Sequence, residues 1–91
     1  MEYDEYEKRV KLAYRFRQVC SLLGLSASEV AERLGMSKAW GSMFLKNKIT
    51  CVQPKTYEAM RAALVDLELE LRNHKDQIKQ FVKKFNREVS K

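Results

Sequence analysis

Histidine and cysteine, the usual ligands of structural metals and the commonest activated side chains, are nearly absent from this chain. It holds one histidine, His74, and two cysteines, Cys20 and Cys51, at no metal-ligand or redox spacing. A zinc site needs about four such ligands close together, and an activated nucleophile needs a base beside it, so both lack their parts. The three glycines form no phosphate-cradling loop, and no paired-carboxylate motif is present. The expectation is a chain that is not an enzyme, with no cofactor, no metal and no small-molecule substrate. Cys20 falls among the apolar residues of the first expected helix and reads as a small buried hydrophobe, which fits a reducing compartment.

Long apolar runs are missing as well. No stretch approaches the roughly 20 apolar residues that span a bilayer, and no apolar run follows basic residues at the N-terminus. A membrane is not an expected partner, and the expected location is cytoplasmic. Breakers are few: proline occurs once, at Pro54, and glycine only at Gly24, Gly35 and Gly41. Internal repeats and low-complexity stretches are absent. A chain of 91 residues makes one modest core. Its net charge of +6 and pI near 9.5 favour a polyanionic partner.

What is present is helical periodicity. Glu2 to Leu23 reads as one helix, with Glu2, Asp4, Glu5 and Glu7 at the positive end of its dipole. Its inner stripe is Tyr6, Val10, Ala13, Phe16 or Arg17, Cys20 and Leu23, and Gly24 closes it. Leu25 to Lys48 then reads as two short helices joined by a tight turn. The first starts at Ser26 or Ser28, since a serine oxygen accepts orphan amide hydrogens and Glu29 stands three positions after Ser26 as in a capping box. Val30, Ala31 and Leu34 share its inner face, Gly35 ends it, and Met36 plugs the corner. Ser37 caps the second helix, Lys38 to about Lys46, which points Lys38, Ala39, Ser42 and Met43 outward and Phe44 inward.

This segment resembles the lambda-repressor-like (Cro-like, Xre-like) helix-turn-helix DNA-binding regulators. The likeness is carried by Leu25-Ser26, Ala31, Leu34-Gly35, Met36, Ser37 and Phe44, with weaker support from Phe16 and Val19 upstream and from Pro54 to Leu64 downstream. It implies an all-α bundle over residues 1–67 that binds double-stranded DNA through the recognition helix Lys38–Lys46, in a cytoplasmic, nucleoid-associated protein. Lys38, Ala39, Ser42 and Met43 would meet base edges: Lys38 donates to guanine O6 and N7, and the apolar pair meets thymine methyl groups. Ser26, Ser37, Trp40, Lys46, Lys48, Thr50, Gln53 and Lys55 would meet the DNA backbone. Two positions depart from the family pattern. Ala27 stands where the family often has a Gln that touches phosphate. Gly41 stands where the family places Ile or Val, which implies either a close helix contact or a rotated helix whose gap Trp40 fills.

From Lys55 to Val89 there is neither proline nor glycine, and residues recur in steps of three and four at Tyr57, Met60, Leu64, Leu67, Leu71, His74, Ile78, Phe81 and Phe85. The first part closes the bundle. Residues 68–91 project as a helical extension expected to form a homodimer through Leu67, Leu71, His74, Ile78, Phe81 and Phe85. A break near Asn73-His74, folding the second half back, is the alternative. The basic back of the extension, Lys75, Lys79, Lys83, Lys84, Arg87 and Lys91, would be solvated, follow DNA phosphates or lie on anionic lipid. The function expected is a sequence-specific transcriptional regulator, a repressor of phage or mobile-element type on a two-fold operator. The competing reading is a protein-binding helical module, an antitoxin or a viral assembly or packaging factor, since Trp40, Met43 and Phe44 lie close together on one helix and suit a protein interface equally.

Overall fold

The computed structural model describes residues 2–89, with side chains placed for residues 4–87; Lys91 of the basic tail lies outside them. Four helices follow one another: α1 (Glu2–Leu23), α2 (Ala27–Leu34), α3 (Lys38–Leu45) and α4 (Pro54–Val89). No strand occurs among the described residues, so the chain is all-α.

Local chemistry sets the boundaries. Ser26 and Ser37, both in extended backbone, cap α2 and α3 by accepting the amide hydrogens of Glu29 and Trp40, each at 3.2 Å. Ser26, not Ser28, therefore starts α2. The first three helices end in the same left-handed turn. Gly24, Gly35 and Asn47 have φ of 69°, 67° and 63°, and the amide after each donates to the carbonyl five residues back: Leu25 to Cys20, Met36 to Ala31 and Lys48 to Met43. This double-bonded end satisfies the orphan carbonyls, and Asn is the side chain that tolerates it best after Gly. Pro54, which has no amide hydrogen to lose, takes the first position of α4.

The core lies where α1, α2 and α3 meet the first half of α4. Phe16, Val19, Cys20, Val30, Phe44, Met60 and Leu67 are fully buried, each apolar side chain stabilising the fold by about 1.5–3 kcal/mol. Phe16 meets Phe44 edge to face at 6.0 Å between ring centres. Tyr6 does not join the inner stripe of α1 and is half exposed. The α1 face turned toward the first turns of α4 carries Glu5, Lys8 and Arg9 instead, and the stripe runs on through Ala13, Phe16, Val19 and Cys20.

The bundle extends past residue 67. Leu67 and Leu71, both expected at a dimer interface, are buried within their own chain, a correction with a direct cause: at this level α1 and α2 still flank α4, as Arg15 on Glu68 and Arg33 on Glu70 show, each at 3.0 Å. After Leu71 every side chain described on α4 is exposed. The helix runs unbroken through Asn73-His74, so the second half does not fold back.

Candidate nucleic-acid interface

The crossing of α2 and α3 is set by two small residues. A Cβ added at Gly41 would overlap the Ala27 carbonyl oxygen and come within 3.2 Å of the Ala31 Cβ. Gly41 thus rests on the backbone of Ala27, and the small side chain that faces it is Ala31. Of the two expectations for Gly41, the structure shows close contact.

That crossing sorts the residues of α3. Gly41 and Phe44 are buried beneath it, while Lys38, Ala39 and Met43 are exposed and Ser42 is half-buried. Positions 38, 39, 42 and 43 form one outer face, as helical spacing requires. Trp40 is half-buried, with its indole stacked on the Phe44 ring at 5.1 Å and 8° between planes. Its orientation is thereby decided: one face is committed to the core and only the remainder is open to a phosphate. Ser37 accepts the Trp40 amide through its oxygen and keeps its own proton to donate. Ser26 has no such proton to spare, because its hydroxyl donates to the Glu29 carboxylate at 3.1 Å. The carboxylate beside it would also repel a phosphate, which weighs against the backbone contact expected at Ser26.

Lys46, Lys48, Thr50, Gln53 and Lys55 are all exposed, on the segment that runs from the end of α3 into α4. That segment is held from below by α1. Arg17 donates through Nε to the Phe44 carbonyl at 2.7 Å and through Nη2 to the Ile49 carbonyl at 2.6 Å, with its guanidinium 4.4 Å from the Phe44 ring centre. Arg9 donates to the Val52 carbonyl at 3.1 Å. Burial lowers the Arg17 pKa, yet a guanidinium stays charged in proteins, so its two bonds remain charge-assisted. These two arginines are the positioning residues that sequence reasoning missed. The only signal was that Phe16 and Arg17 competed for one place in the α1 stripe; Phe16 takes the core and Arg17 reaches the loop.

Charge is distributed unevenly over the molecule. Between Glu32 and Glu58 the sequence carries Arg33, Lys38, Lys46, Lys48 and Lys55 and no carboxylate. Arg33 is paired with Glu70, but none of the four lysines is in a salt bridge among the described residues. Four lysines on α3, the loop after it and the first turn of α4 are thus left unneutralised. Elsewhere Lys11 pairs with Glu7 and Arg15 with Glu68, while the second half of α4 carries a further run of cations in no salt bridge among the described residues, Lys75, Lys79, Lys83 and Lys84.

No family model, curated protein or solved structure matches the chain. The family likeness accordingly rests on the motif residues themselves and on how they are arranged. Among the described residues no group of three His, Cys, Asp or Glu side chains could hold a metal ion, and no helix is long and apolar enough to cross a membrane. Burial pushes the Cys20 thiol up to about 11, with the Arg33 charge acting in the opposite direction, so at neutral pH it is a protonated core side chain. The concavities along α1 and α4 are shallow and lined largely by charged side chains such as Glu5, Lys8 and Arg61, unlike an enclosed apolar ligand pocket.

Proposed function

We propose that the chain is a lambda-repressor-like helix-turn-helix regulator that binds double-stranded DNA through α3, as a homodimer joined by the end of α4. The observation that carries this reading is that Lys38, Lys46, Lys48 and Lys55, on α3 and in the residues that follow it, are exposed and in no salt bridge among the described residues, next in the chain to an outer α3 face of small and flexible side chains. A helix presenting Lys38 at its start and Ala39, Ser42 and Met43 along one side has a profile a major groove accepts, about 12 Å wide. The lysines beyond its end lie where they can neutralise phosphates and fix the helix in register. Binding, not catalysis, is the activity proposed.

The competing reading, a protein-binding module using the same surface, loses its main support in the structure. Phe44 is fully buried and Trp40 is stacked on it, so neither forms the exposed aromatic anchor that a protein hot spot needs. Met43, 43% exposed, is the one large apolar side chain left on that face. A salt titration of duplex binding separates the two readings. Neutralising four phosphates predicts a slope of log affinity against log salt of about −3.6 per subunit. A flat salt dependence, or no binding to any duplex, would refute the DNA reading.

A further inference from the structure

The exposed end of α4 carries Ile78, Phe81, Val82 and Phe85, between 47% and 70% exposed, on one side of a helix that has left its bundle. Their positions continue the steps of Met60, Leu67 and Leu71, so this stripe lies on the same side of α4 as the face buried against α1 and α2. A straight helix drifts only about 20° per heptad, too little to carry the stripe around to another side over two heptads. The molecule measures 60 × 29 × 19 Å, and a 36-residue helix accounts for about 54 Å of the long axis, so α4 is close to straight.

That placement restricts how two tails can meet. If two copies paired in parallel, each α4 would have to run along the stripe side of the other, in the space that the other's α1 and α2 already fill. In the opposite direction the conflict shrinks to the level of the last turn, because residues 72–87 of each tail then lie beyond the other's bundle. We infer that α4 pairs antiparallel with a second copy over residues 72–87, with Ile78 facing the partner's Phe81 and His74 facing the partner's Phe85. This rests on the reading that the tail joins two copies, and does not depend on DNA binding.

Apolar area favours a second copy as the occupant, and the charge of the tail restricts the register in which two copies can meet. Residues 72–91 carry seven cations against two carboxylates, so any register that set lysines side by side would be repelled. In the antiparallel register the positions flanking the seam pair Gln77 with the partner's Lys84 and Lys75 with the partner's Val82, and no like charges meet. Lys79 and Lys83 stay on the solvated back. Val82, too wide for a minimal two-stranded seam, finds its role there by covering the stem of the partner's Lys75. Taking ~200 Å² for a whole aromatic side chain and somewhat less for an aliphatic one, the four exposed side chains offer on the order of 450 Å² per copy. Two copies thus bury about 900 Å² at most through these side chains, below the range of stable specific interfaces, so the dimer is weak at low concentration and strengthened when two half-sites hold both copies.

Disulfide trapping tests this on the full chain with Cys51→Ser, leaving the buried Cys20 in place. Ile78→Cys and Phe81→Cys chains, one carrying a mass tag, are mixed and oxidised. The expected product is the mixed 78–81 species, at least tenfold over either homodimer. A dominant 78–78 or 81–81 product would overturn the antiparallel arrangement while leaving tail pairing intact. Sedimentation of the unsubstituted chain guards against a substitution that weakens pairing: a concentration-dependent dimer that Phe81→Asp converts to monomer, with the melting temperature of the bundle unchanged, supports the inference. A monomer at all concentrations, or a monomer that co-sediments with phosphatidylserine vesicles, would remove the second copy as the occupant.

Discussion

Gly41 is the residue on which the candidate interface depends most closely. With no Cβ it lets α3 rest on the Ala27 carbonyl and the Ala31 methyl, and that contact rotates Lys38, Ala39 and Met43 outward. Gly41→Ala removes the backbone entropy cost of a helical glycine, worth roughly 1 kcal/mol, but inserts a methyl where a backbone oxygen already sits. The clash outweighs the gain. Net destabilisation of about 1–2 kcal/mol is expected, a fall in melting temperature of roughly 5–15 °C for a domain of this size, read by thermal unfolding. An unchanged or raised melting temperature would show that the helices are not in contact there. At this scale the sequence was legible wherever one side chain had one local partner, as with Ser37 and the Trp40 amide. It was ambiguous at Gly41 and at Arg17, whose roles depend on residues 10 to 32 positions away that no local pattern can reveal.

In the proposed reading the elements of the bundle divide the work of binding between them: α3 reads sequence, and the loop from Lys46 to Gln53, pinned by Arg9 and Arg17, supplies phosphate contacts. Lys38→Ala is expected to cost about 1–3 kcal/mol on a preferred site and to narrow the gap between preferred and random DNA. Lys48→Ala is expected to weaken both alike and to reduce the salt slope by about one unit. Equal losses on preferred and random duplexes for both variants would contradict that division. Helix boundaries were readable to within a residue or two because caps and breakers are local: Ser26, Gly35, Ser37 and Pro54 all act at the positions expected of them. The loop was harder to read. Val52 is buried and Ile49 packs against the core, although their segment has no periodicity to announce it.

For the whole molecule, the decisive property is that one straight helix serves two purposes. Its first half completes the bundle through Met60, Leu67 and Leu71, and its second half stands free. The heptad pattern ran through both halves without a mark between them, so the sequence set the boundary at Leu67, counting it in both halves, and placed Leu71 with the tail. Only the reach of α1 and α2 along α4 locates the change. The central claim is that two copies present two α3 helices to DNA as one two-fold unit. Selection of bound fragments from a random duplex pool tests it most directly. The account predicts enrichment of a two-fold symmetric sequence whose half-sites lie an integral number of helical turns apart, about 10.5 base pairs per turn. Recovery of no enriched sequence, or of a single asymmetric site bound by one copy, would contradict it.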